Sequence, residues 1–107
     1  MKRKEKVKNN YYIICYWKET IEDIVHETDL HKFLDSKDFT GWWKYIPNTY
    51  IVSSNYNSKW ISDEIIKRAN GLKFLIMKVD IGVFNGYLPK TAWKWLSKES
   101  GVKIKVK

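Results

Sequence analysis

Trp42-Trp43-Lys44-Tyr45-Ile46-Pro47-Asn48-Thr49-Tyr50-Ile51-Val52-Ser53 decides the fold. Two short runs of aromatic and β-branched residues flank Ile46-Pro47-Asn48-Thr49. Proline pre-sets φ for a turn and asparagine tolerates the position after it, so residues 42–54 read as a β-hairpin opened by Gly41. Upstream, Thr20 stands before Ile21-Glu22-Asp23, an N-cap with acidic residues in the first turn. Ile21, Ile24, Val25, Leu30, Phe33 and Leu34 then recur at helical spacing to about Ser36, with a break expected near Thr28. Before that helix, Tyr11-Tyr12-Ile13-Ile14-Cys15-Tyr16-Trp17 is continuously apolar and reads as a central strand buried on both sides, with Cys15 a buried small hydrophobe. Downstream, Asn55 to Asn57 is a loop. Trp60, Ile61, Ile65, Ile66 and Ala69 mark a second helix stopped by Asn70-Gly71, and Phe74 to Val79 is a fourth strand.

The order is β-α-β-β-α-β. It defines an α+β fold of ferredoxin-like type, an antiparallel sheet with two helices on one face. Leu88-Pro89 opens a short third helix with Trp93, Leu96 and Trp95 inward. Residues 102–107 alternate Val-Lys-Ile-Lys-Val-Lys, the pattern of a fifth, edge strand guarded by lysine. At 107 residues the chain has room for one core. The division expected is a basic N-terminal arm, residues 1–10, and a single domain over 11–107 ending in the basic strand.

The net charge of +8 sits at the ends. Residues 1–8 hold Lys2, Arg3, Lys4, Lys6 and Lys8 against Glu5, a net +4; residues 98–107 hold Lys98, Lys103, Lys105 and Lys107 against Glu99, a net +3. Residues 9–97 keep only +1. Basic ends of this kind attract nucleic-acid backbone by counterion release, which makes Lys2, Arg3, Lys4, Lys6, Lys8, Lys103, Lys105 and Lys107 the candidate DNA or RNA contacts. Lysine supplies 18 of the 20 cations, so such contacts would carry little base specificity. One cysteine excludes an internal disulfide and a cysteine-rich zinc site. The apolar run behind the basic start is seven residues long and lacks a small-residue cleavage site, so a cytoplasmic protein without membrane attachment is expected.

Three stretches carry a resemblance: Tyr12-Ile13-Ile14-Cys15-Tyr16, then Gly41-Trp42-Trp43-Lys44-Tyr45 through Thr49-Tyr50-Ile51-Val52, then Gly86-Tyr87-Leu88-Pro89 before Ala92-Trp93-Lys94-Trp95-Leu96. Over roughly residues 11–97 the chain resembles the small bacterial proteins called SinR-like. These are similar in fold to the metal-dependent adaptation nuclease subunit of CRISPR systems and to virulence-associated D-type toxins. The resemblance implies a ferredoxin-like protomer that dimerises through its sheet, and little about activity. The nuclease relatives place a metal-binding Asp just after the first strand. Here that place is held by Trp17, whose indole offers no hard oxygen ligand.

No other catalytic constellation stands out, and no cofactor or metal is implied. Glu19 and Asp80 are the carboxylates nearest to strand ends, Asp80 having turn-capping chemistry beside Gly82. Glu22 and His26 share a helical face, whereas His26 and His31 do not. The aromatics exceed what one small core can hold, and Trp42 and Trp43 must point to opposite sides of the sheet. The face away from the helices is therefore expected to be aromatic, with Tyr12, Trp43, Tyr45 and Tyr50 as candidate homodimer interface residues. Three functions follow in order: a non-catalytic dimeric protein binding nucleic acid through its basic ends; an interaction protein of a mobile element or phage acting on a defence complex; and a divergent metal-dependent nuclease.

Overall fold

A computed structural model describes residues 9–82 and 84–100 of the chain. Strand β1 spans Asn10–Tyr16, helix α1 Ile21–Leu34, β2 Gly41–Ile46, β3 Thr49–Ser54, helix α2 Ser58–Arg68, β4 Phe74–Val79 and helix α3 Lys90–Ser100. The sheet order is β2-β3-β1-β4 with every neighbouring pair antiparallel, so β1 is a central strand. This is the α+β arrangement expected from the element order, with a C-terminal helix added. Asn10, which the sequence division assigns to the N-terminal arm, pairs with Ser54 as the first residue of β1. The alternating segment 102–107 lies outside the described residues.

Local chemistry places the elements. Thr20 caps α1: its Oγ1 accepts from the Asp23 N–H at 3.3 Å, and the Asp23 carboxylate accepts from the Thr20 N–H at 3.0 Å. The helix then runs unbroken through Thr28, whose hydroxyl donates to the Ile24 carbonyl at 3.1 Å and leaves the turn intact. Asn57 caps α2 by accepting from the Trp60 N–H at 2.8 Å. Asn48 turns the hairpin at φ 58°, and Gly71 ends the α2 exit at φ 106°. In β2, Lys44 and Tyr45 lie between the pairs Trp43–Ile51 and Ile46–Thr49, a bulge opposite Tyr50 that keeps this edge strand irregular.

Alternation along the strands builds two cores. Tyr12, Ile14 and Tyr16 of β1 with Tyr50 and Val52 of β3 lie under α1 and α2, against Leu30, Phe33, Leu34, Ile61 and Ile65. The opposite face is not left open. Helix α3 returns across it, and Trp43 packs there against Ala92 and Leu96, edged by Ile51, Phe84, Leu88, Trp93 and Trp95. The indole N–H of Trp43 donates to the Ala92 carbonyl at 2.8 Å, bolting helix to strand. Gly41 fits beneath α3 because a Cβ there would stand 3.1 Å from the Trp95 indole nitrogen.

Two sequence expectations change. Strand β1 is buried on one side, while Tyr11 and Ile13 are half-buried and Cys15 is exposed. Cys15 pairs with Leu75 of β4, itself exposed. Helix α3 packs on β2, and that end of the β1–β4 pair stays open.

Candidate functional site

At the C-terminal end of β1 the chain turns into α1 and forms a cleft of about 260 Å³ lined by Trp17, Glu19, Thr20, Glu22, Asp23, His26, Gly71 and Lys73. The Trp17 N–H donates to the Lys73 carbonyl at 2.9 Å, which joins the two walls. Asp23 accepts from the Glu19 N–H at 2.8 Å and stands 3.0 Å from Nδ1 of His26. The Glu19 N–H, then the His26 contact and the Thr20 N–H, hold the Asp23 carboxyl well below the usual carboxylate range. A carboxylate at Nδ1 requires the proton there, so Nε2 of the neutral ring carries the lone pair. That ring edge lies against Gly71, where a Cβ would meet Cε1 at 3.2 Å and Nε2 at 3.3 Å. The result is an oriented imidazole in a cleft of mixed charge, with Glu19, Glu22 and Asp23 facing Lys73.

The pairing partner of His26 is thus Asp23 rather than Glu22. The capping box holds one Asp23 oxygen back against the Thr20 and Glu19 N–H groups and leaves the other for His26, three residues on, and that motif was the available sequence signal. His31 is engaged elsewhere, with Nδ1 2.8 Å from the Tyr50 hydroxyl. Between α1 and the sheet, Glu27 accepts from Tyr16 and Lys18 and faces Lys44. Burial works to raise the Glu27 carboxyl, but the Tyr16 and Lys18 hydrogen bonds and the two ammonium charges bring it below its usual range. Burial, then the Glu27 and Asp35 charges, pushes the Tyr50 phenol up to about 12; burial and Glu27 raise Tyr16 further.

The residues expected to carry nucleic acid, Lys2, Arg3, Lys4, Lys6, Lys8, Lys103, Lys105 and Lys107, lie outside the described residues. Their points of attachment do not. The Tyr11 hydroxyl donates to the Glu99 carboxylate at 3.0 Å, and the Tyr11 ring meets Trp95 edge-on at 6.5 Å. The start of β1 and the last turn of α3 are therefore neighbours. Of the four expected interface residues, Tyr12 and Tyr50 fill the core under α1 and α2, and Trp43, 3% exposed, fills the core under α3. None of the three has surface to give a partner, because the chain's own helices occupy both sheet faces at those positions. Tyr45 alone is exposed.

Asp80 caps its turn, accepting from the Gly82 N–H at 2.9 Å. Glu19 stands at the cleft rim. Among the described residues, no three His, Cys, Asp or Glu side chains converge as a metal ion would need, and no helix is long and apolar enough to cross a membrane. No protein-family model, no curated protein and no solved structure matches the chain.

Proposed function

We propose that the protein is a non-catalytic binding protein that grips nucleic-acid backbone with two lysine-rich segments issuing from one corner of the fold. The observation that carries this reading is the Tyr11–Glu99 contact. Residues 1–8, at net +4, precede the strand that holds Tyr11, and residues 98–107, at net +3, include Glu99, while the body between them is nearly neutral. Two short cationic segments on one anchor reach the same stretch of polyanion, so the second binds at high effective concentration once the first is engaged. Lysine contacts give attraction without base reading, so the target class is DNA or RNA with little sequence preference. The likeness to SinR-like proteins belongs to this reading as a fold-level analogy, with Trp17 where the nuclease relatives hold their Asp. The turn-capping work of Asp80 weighs against a divergent nuclease.

The test is binding of fluorescent single- and double-stranded oligonucleotides across a salt series. If the eight candidate cations each neutralise a phosphate, the slope of log K against log salt approaches about −7 on duplex. Deleting residues 1–8 removes five of them and brings the slope to about −3. Absence of binding at about 50 mM salt, or a slope indifferent to the deletion, would defeat the proposal.

A further inference from the structure

Helix α1 has two apolar stripes. Leu30, Phe33 and Leu34 face the core and are buried. Ile21, Ile24 and Val25 face away from it, 81%, 56% and 59% exposed, and exposed Thr28 continues their row at i, i+3, i+4 and i+7. All four are β-branched. On a solvated helix face such residues lose rotamer freedom and bury nothing in return, whereas Lys, Glu or Gln would sit there at lower cost. Exposed Glu22 stands beside the start of the row and exposed Lys32 one turn past its end, and among the described residues neither has a charged partner within ion-pair distance.

We propose that this outer face of α1 is the seam of a homodimer, packed antiparallel against α1 of a second copy. Charge complementarity selects that occupant. A two-fold axis passing near residue 27 sets Glu22 of one copy opposite Lys32 of the other and repeats the pair by symmetry, with Ile24, Val25 and Thr28 between them. The two positions are ten residues, or about 15 Å, apart along the helix, so both pairs fall within one helix–helix crossing. Nucleic acid does not suit the face, since Glu22 and Asp29 would meet phosphate. Two copies approach without penalty, because the positive charge is concentrated in residues 1–8 and 98–107 and the body carries only +1. The four side chains and the stems of Glu22 and Lys32 offer roughly 500 Å² per chain, about 1,000 Å² in the pair, the low end of specific interfaces. The dimer is accordingly a reversible one, with Kd on the order of 10 μM.

Sedimentation equilibrium of the full chain from about 1 to 500 μM tests this, with circular dichroism confirming that each variant keeps its helices. Val25→Glu is expected to weaken dimerisation by at least about tenfold, since it buries a carboxylate at the axis. Glu22→Lys and Lys32→Glu each set like charges together and weaken it about fivefold; the double exchange restores the pairs and recovers wild-type Kd within about twofold. A chain monomeric throughout, an unaffected Val25→Glu dimer, or a double exchange as weak as either single would overturn the seam. The nucleic-acid reading stands apart from it: a monomer that binds oligonucleotides refutes the dimer alone.

Discussion

Replacing Trp43 with alanine separates what holds α3 from what holds the sheet. The side chain is 3% exposed, lies between β2 and α3, and supplies the indole N–H bonded to Ala92. Truncating a buried tryptophan costs about 3–5 kcal/mol, and among the described residues no other helix or strand packs on that face to close the gap. An 11-residue helix has little stability of its own, so a loss of that size is expected to undock α3 before the sheet opens. Hydrogen exchange reads this directly. Amides of α3 should lose about 100- to 4,000-fold of their protection while those of β1 and β3 keep most of theirs. Trp43→Phe, which keeps a ring but forfeits the indole hydrogen bond and part of the packed volume, should cost about 2–3 kcal/mol, less than the alanine change, and leave α3 docked. The alanine variant should also bind oligonucleotide more weakly although no charge has been removed, because undocking frees the C-terminal segment from Tyr11. A uniform loss of protection over every strand and helix would refute the reasoning, by showing α3 and the sheet to be one cooperative unit.

Gly71→Ala places a methyl against His26 at positive φ and should destabilise by about 1–2 kcal/mol; His26→Ala in the same chain should recover part of it, a coupling that a double-mutant cycle in urea measures. Because the Asp23 carboxyl titrates below its unfolded range, the stability it lends is present above about pH 4 and lost as pH falls through its folded value, so Asp23→Asn should flatten the acid limb of a melting-temperature profile. Tyr50 has the opposite sign: its raised phenol lends stability below about pH 10 that is lost toward pH 12, and absorbance near 295 nm should show it still neutral at pH 11. Cys15 in the native protein should react with a thiol reagent at a rate within about tenfold of the unfolded chain, and strong protection would contradict its exposed position.

The elements were legible because their ends are written in local chemistry. Pro47-Asn48, Thr20 and Gly71 act within a few residues of themselves, and the antiparallel α+β class followed from the order of the elements. Which phase of an alternating strand faces which helix is a different matter. Period two separates Trp42 from Trp43 correctly, yet only the path of α3 makes the far side of Trp43 an interior. Tyr12 and Tyr50 were misjudged as interface for the same reason, since the pattern gives two faces and does not name the covered one. Cys15 looked interior because every residue of 11–17 is apolar, and an uninterrupted run carries no mark of the point where cover stops. The Asp23–His26 contact was within reach, through the capping box. The meeting of Tyr11 with Glu99 was not, since 88 residues separate them and only the assembled sheet and α3 bring them together.

The central position of β1 bears on how the protein is made. Strand β1 pairs on one side with Thr49–Ser54 and on the other with Phe74–Val79, both of which follow it in the chain. Until the second of these has emerged, a seven-residue strand of aromatic and aliphatic side chains has at least one hydrogen-bonding edge open. Helix α1, with its complete capping box, can form early, but the sheet cannot close until Val79 has been made. Folding is therefore governed by long-range pairing, and β1 carries an open apolar edge through the interval of synthesis that separates it from β4.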